Sequence, residues 1–301
     1  GVYKDEHGLV SIMVTMIMMI VITLIVLGFA EVSRRNSREA TDRQLSSQAF
    51  YAAETGVNDA VTAVKNGSID LAAKNYNTNC DTFINDLAVA PTPISNQLNG
   101  TSVVYTCLLV NDKPPSIQVD VPLGSGQVTP LKMTNSNGQL QFSWSISGAT
   151  PVTNCPAAGT ADVFTPSTTW TCPYGILRVD LYRDTGTFDP ATMANAATSI
   201  YFVPTRNGAG GANVVAGSGP LIVNNATCNA STCTALLTGL GAGPTVNYYA
   251  RLSSIYRAVG RVNISGGPNT TFSDAQLLVD STGRAQDELR RIQVRVPLVN
   301  S

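Results

Sequence analysis

The sequence predicts an α+β protein. A long N-terminal helix, apolar in its first half and amphipathic in its second, packs under a mostly antiparallel β-sheet domain with long disulfide-stapled loops. Three observations predict this. Residues 9–30 carry no charge and no proline. From Leu45 to Val64, apolar and small residues recur every three or four positions, the period of one helix face. From Thr101 onward the period changes to two, in short runs broken by Gly, Pro, Asn and Ser, the pattern of strands and turns.

Residues 1–8 form a short polar segment holding Asp5, Glu6 and the only histidine, His7. Residues 9–30 follow as an apolar rod. Twenty-two helical residues rise about 33 Å at 1.5 Å each, and a bilayer's hydrocarbon core is about 30 Å thick. The run is apolar all round, so it is not an amphipathic surface helix. Leu9, Ile12, Met16, Ile20, Leu24 and Gly28 are among the residues along it expected to pack against neighbouring helices. Thirteen Leu, Ile, Val or Phe residues within it favour insertion by roughly 4–8 kcal/mol in sum. A secretory signal's apolar stretch is shorter, about 7–15 residues. Gly28, near the end of the run, is where such a helix is expected to bend or unwind.

Residues 31–66 continue as helix, since no proline occurs before Pro91. Glu31–Arg35, Arg38–Asp42 and Glu39–Arg43 are four apart and are expected to pair. Ala49, Ala52, Ala53, Gly56, Val57, Ala60, Val61 and Val64 form a stripe of small side chains, fit for close packing against a sheet. "KNGS", residues 65–68, is a helix stop. One helix is therefore expected from about Leu9 to about Val64, roughly 80 Å long.

These residues resemble a known family. An apolar half-helix and an amphipathic half-helix under a β-rich domain is the plan of type IV pilins. "DRQLSSQAFYAAETGVNDAV", residues 42–61, resembles the PilX-type branch, with Ala49, Phe50, Ala52, Ala53, Glu54 and Gly56 matching its "AFxAAExG" run. "LLVDSTGRAQDELRRIQVRV", residues 277–296, is similar to the closing β-hairpin of such proteins. The resemblance covers about a quarter of the chain.

The resemblance implies a structural subunit that polymerises through its N-terminal helix with copies of itself. It also implies residence in the membrane before assembly, and a prepilin peptidase and pilus assembly machinery as partners. The filament would serve surface attachment, twitching motility driven by retraction, or both. The sequence departs from the family at one place. Pilins are cut after a glycine, and their fifth mature residue is usually a glutamate inside the apolar run. Here Gly8 precedes the run, residue 13 is Met13, and no acid lies inside. Either the chain is not cut after Gly8 or the cut lies upstream of Gly1, and in the second case Asp5 and Glu6 are expected to stand in for the missing glutamate and meet a neighbour's free amine at assembly.

Residues 67–301 are expected to form a β-rich extracellular domain. Strands are predicted within 101–110, 116–121, 140–147, 176–183, 199–204, 246–257, 260–265, 276–281 and 291–299, as one sheet wrapped on the outer half of the helix. Residues 148–175 and 205–245 read as long loops, each holding a cysteine pair, and are candidates for contact with neighbouring copies or with a host or other target surface. The six cysteines, Cys80, Cys107, Cys155, Cys172, Cys228 and Cys233, point to disulfides and an oxidising compartment. Fifteen pairings are possible; nearest neighbours in sequence are the expected ones. Lys4 alone before the rod and four arginines after it would by themselves place the domain in the cytoplasm. The cysteines outweigh that count, and a removed leader would supply the missing positive charge.

Other chemistry finds little footing. The chain has a net charge of −1 and only 13% charged residues, so no basic field attracts nucleic acid. A single histidine allows no Ser-His-Asp triad beside the domain, and no C-x-x-C occurs to bind zinc. The glycine clusters at 208–219 and 239–243 lack a P-loop's Lys-Ser/Thr. "DTGTFDP", with Asp184 and Asp189, reads as a turn rather than a calcium site. Trp144 and Trp170 are expected as core or loop anchors. Six N-x-S/T sequons, at Asn66, Asn99, Asn225, Asn229, Asn263 and Asn269, are what such a composition supplies by chance. No cofactor and no enzymatic activity are expected. The rival to the filament subunit is a monomeric membrane-anchored surface adhesin, which needs the apolar anchor but not the continuous helix or its small-residue stripe.

Overall fold

The structure, a computed structural model, describes residues 7–87, 103–145, 152–157, 167–184, 186, 197–206, 214–215, 221–229 and 231–298. Helix α1 runs unbroken from His7 to Lys65. It stays α-helical through Gly28, so the chain does not unwind there. The predicted stop operates as read. Gly67 adopts φ +68°, and the amides of Asn66, Gly67 and Ser68 return to the carbonyls of Thr62, Val64 and Ala63, closing the last turn with a glycine in the left-handed region.

Helix α2 (Cys80–Asp86) starts with the Asn79 side chain accepting from the Asp81 amide, a side-chain cap on an otherwise unpaired donor. The strands are β1 (Val103–Asn111), β2 (Ser116–Val121), β3 (Gln127–Asn137), β4 (Leu140–Ser145), β5 (Ile176–Arg183), β6 (Ala197–Arg206) and β7 (Val214–Val215). They continue with β8 (Leu221–Cys228), β9 (Thr232–Thr238), β10 (Ala242–Ile255), β11 (Gly260–Gly266), β12 (Thr271–Ser273), β13 (Gln276–Ala285) and β14 (Glu288–Pro297).

The expected single sheet is instead two. A three-stranded sheet, ordered β1-β13-β14, carries α1. A larger sheet, β12-β3-β10-β5-β6-β8-β9-β4-β11-β2 with β7 on β9, curls into a nearly closed barrel around its own core. The reason is capacity. The docked part of α1, residues 45–65, is about 30 Å of helix, enough to cover three strands and no more. The remaining apolar faces, among them Phe142, Trp144, Leu177, Phe202, Leu252 and Ile264, can only be buried against one another. Pairing is antiparallel except for β6–β8 and β7–β9.

Residues 205–245, read as a loop, hold β8 and β9. Asn224, Asn225 and Thr227 within β8 hid the strand, because a cluster of polar residues resembles a turn; Asn225 and Thr227 lie on the face away from buried Ala226 and Cys228. Strand β3 was also missed. It contains Pro130, which is tolerated because β12 reaches only Lys132–Thr134 and leaves that stretch of β3 at an edge.

Strand β1 shows how one residue re-phases a face. A register shift between Tyr105 and Cys107 leaves Thr106 exposed, so Val103 and Tyr105 on one side and Leu108 and Val110 on the other all turn inward. The three disulfides join Cys80 to Cys107, Cys155 to Cys172 and Cys228 to Cys233. The first clips α2 to β1, and the third crosses the β8–β9 pair. Trp144 is core, and Trp170 anchors its loop with Nε1 donating to the Tyr174 carbonyl at 2.9 Å and its ring against Tyr256.

Candidate assembly interface

Among the described residues, the first half of α1 has no partner within the chain. Ile12 is 70% exposed, Met16 65%, Ile20 52% and Leu24 64%, and no part of the best 18-residue apolar window is buried. The helix is long and apolar enough to cross a membrane. Its polar interruptions are muted: the Thr15 and Thr23 hydroxyls donate to the Ile12 and Met19 carbonyls at 2.9 and 2.7 Å. A side-chain hydroxyl returned to its own backbone offers no unsatisfied donor to lipid or to a packed neighbour. The backbone of Leu9 is helical, while its side chain lies outside the described residues, as do Asp5 and Glu6.

Residues 31–44 form a second bare stretch. Every one is exposed. Of the three expected i,i+4 pairs, only Glu39–Arg43 closes, at 2.5 Å. Glu31–Arg35 and Arg38–Asp42 stay apart, because fully hydrated side chains gain little from such a contact.

Above residue 45 the helix docks. Ala49, Ala52, Ala53, Gly56, Val57 and Ala60 are buried, and Val61 and Val64 half-buried. Two glycines set the approach. Gly56 faces Ser281 and Tyr105, where an added Cβ would lie 2.5 Å from Ser281 Oγ and 2.9 Å from Tyr105 Cγ. Gly283 on β13 faces the helix itself, and a Cβ there would overlap the Ala49 carbonyl oxygen and the Ala53 amide nitrogen. The backbones therefore meet without intervening side chains. Ser281 Oγ is buried at this contact with no hydrogen-bond partner among the described residues. Polar ties flank the seam: Tyr105 donates to Asp59 at 3.0 Å and Arg290 to Ser46 at 2.8 Å. Burial, then the adjacent Asp59 carboxylate, push the Tyr105 phenol above its ordinary value.

The hairpin expected over 277–296 is present as β13–β14, joined by Gln286 and Asp287. Sequence reasoning identified the alanine stripe and this hairpin, but not that Gly283 and Tyr105 are what the stripe meets. The predicted strand stops at Ser281, and a glycine inside a strand, which marks close backbone approach, was the available signal. Also unforeseen was Gln276, which joins the two sheets. Its side-chain amide accepts from the Gln118 amide at 3.0 Å and donates to the Gln118 carbonyl, standing in for a neighbouring strand at the edge of β2.

A cleft of about 570 Å³ lies between β2, the first half of β3 and β14. Arg295 on its wall donates to the Ser116 carbonyl at 2.5 Å, and burial lowers its pKa from the ordinary value. No group of three or more His, Cys, Asp or Glu residues fit to hold a metal occurs among the described residues. Asp189 lies outside them. The chain matches no protein-family model, no curated protein and no solved structure.

Proposed function

We propose that this chain is a structural, non-catalytic subunit of a type IV pilus-like filament. One observation carries the reading: a single unbroken helix whose first half is exposed and apolar on every face while its second half is locked to a disulfide-bonded domain. A surface of that kind needs lipid or other helices around it. Before assembly the rod sits in the membrane with the domain on the oxidising side, where its disulfides persist. In the filament, sister rods replace lipid on every side. Shielding the thirteen Leu, Ile, Val and Phe side chains of residues 9–30 from water is worth about 1.5 kcal/mol or more for each, so the rod does not remain bare in water. Repeated heterologous contacts generate an open fibre, which would serve surface attachment or retraction-driven movement with a peptidase and assembly machinery supplied by other chains.

The monomeric anchored adhesin is the alternative. It explains the apolar rod but not the fourteen exposed helical residues, 31–44, that hold the domain off the membrane. Electron microscopy of material sheared from cells expressing the full chain separates the two. Filaments labelled by antibody to the domain are expected; isolated particles with no fibre would end the filament reading.

A further inference from the structure

The stalk between the rod and the docked helix carries four arginines and three acids in residues 31–43: Arg34, Arg35, Arg38 and Arg43 against Glu31, Glu39 and Asp42. All are exposed, and among the described residues only Glu39 and Arg43 are ion-paired. Their placement is one-sided. At about 100° per residue, Glu31, Arg34, Arg35, Arg38, Glu39 and Asp42 all fall within about 70° of the direction that Ala49 and Ala60 take higher up. The stripe that holds the domain above residue 45 thus continues below it as a charged face.

That face is self-complementary only when two copies are offset. Parallel helices in register set Arg35 against Arg35 and Arg38 against Arg38. A shift of four residues, about 6 Å along the axis, sets Glu31 against Arg35, Arg35 against Glu39 and Arg38 against Asp42 of the next helix, with one like pair, Arg34 against Arg38. Like charges juxtaposed penalise the wrong register, and opposite charges favour the right one. We infer that the charged stalk is the contact that sets the axial stagger between neighbouring copies of this chain. The apolar rod, residues 9–30, carries no charge with which to penalise a wrong register. The partner is a second copy, chosen by charge. This inference rests on the filament reading and adds the register to it.

The test is a charge swap in the full chain, assembled from detergent by dilution and followed by sedimentation and negative-stain microscopy. Arg34→Glu/Arg35→Glu/Arg38→Glu makes the face acidic, and Glu31→Arg/Glu39→Arg/Asp42→Arg makes it basic. Neither variant touches the domain, and non-reducing mass mapping verifies that its three disulfides form. Each variant alone is expected to need about tenfold or more protein for half-maximal assembly, while an equimolar mixture returns to the wild-type value. The neutral triple variant Arg34→Gln/Arg35→Gln/Arg38→Gln is expected to fall between. Assembly of either reversed variant at the wild-type concentration overturns the inference and leaves the filament reading standing. So does impaired assembly that mixing fails to restore, which would assign the arginines to lipid headgroups. Failure of wild-type protein to polymerise at all overturns both.

Discussion

The closest contact between helix and sheet lies at Gly283, and it makes a quantitative prediction. Gly283→Ala adds one carbon. That carbon would overlap the Ala49 carbonyl oxygen and the Ala53 amide nitrogen and lie 2.9 Å from Ala52 Cβ. Two of the three obstacles are helix backbone, so no rotamer change relieves the clash and the helix must move away. Overpacking of this kind costs about 1–3 kcal/mol. An opposing effect exists: alanine in place of a strand glycine stabilises by about 0.5–1 kcal/mol through the unfolded chain, and Gly283 does not use positive φ. The steric term wins, for a net loss of about 1–2 kcal/mol. At about 2–4 °C per kcal/mol for a domain of this size, Tm should fall by roughly 2–8 °C, followed by near-UV circular dichroism of the full chain in detergent. Gly283→Val should go further and expose amides of residues 45–65 to hydrogen exchange. Gly28→Ala is the control, since nothing lies within 4 Å of that position; it should leave Tm level or raise it. A Gly283→Ala protein as stable as wild type would refute the argument that backbone-to-backbone contact holds α1 to the sheet.

Three further outcomes follow from the same interface and its staples. Tyr105→Phe removes the bond to Asp59 and should destabilise by about 1.5 kcal/mol, a bond to a charged group being worth about 1.5–3. Because the folded-state pKa of Tyr105 is raised above its ordinary 10.0, its contribution is complete below pH 10.0 and is lost as pH rises beyond it; the alkaline limb of a stability–pH profile should therefore flatten in Tyr105→Phe. Ser281→Ala deletes a buried hydroxyl with no partner among the described residues and should be neutral or stabilising, where an ordinary buried truncation would cost stability; a clear loss in a denaturant melt would mean that the hydroxyl is bonded after all. The Cys155→Ser/Cys172→Ser double variant opens a loop of 17 residues and should lose about 3 kcal/mol, measured by the same melt; an unchanged midpoint would show that the loop is held by Trp170 and Tyr174 alone.

Some of this molecule is written in local runs of sequence. The rod of residues 9–30, the stripe from Ala49 to Val64 and the Asn66–Gly67 stop depend on neighbours three or four positions apart, so periodicity exposes them directly. Strands with clean alternation, such as Ile176–Arg183 and Gly260–Gly266, were legible for the same reason. The matching of stripe to sheet was not. Which strands lie on α1 is decided by β1, β13 and β14, whose pairings bring residues near 105 beside residues near 282. No window of sequence contains both.

What only the tertiary structure decided is the division of the strands into two sheets, the strand character of β3, β8 and β9, and the meeting of Gly56 with Ser281 and of Gly283 with Ala49. Each depends on how much apolar surface a given partner can cover, a property of pairs of elements far apart in the chain. The helix announces itself because its hydrogen bonds close within four residues. The sheets announce themselves less, because their cores and pairings such as β1–β13 close across more than a hundred residues, even where a hairpin such as β13–β14 closes locally.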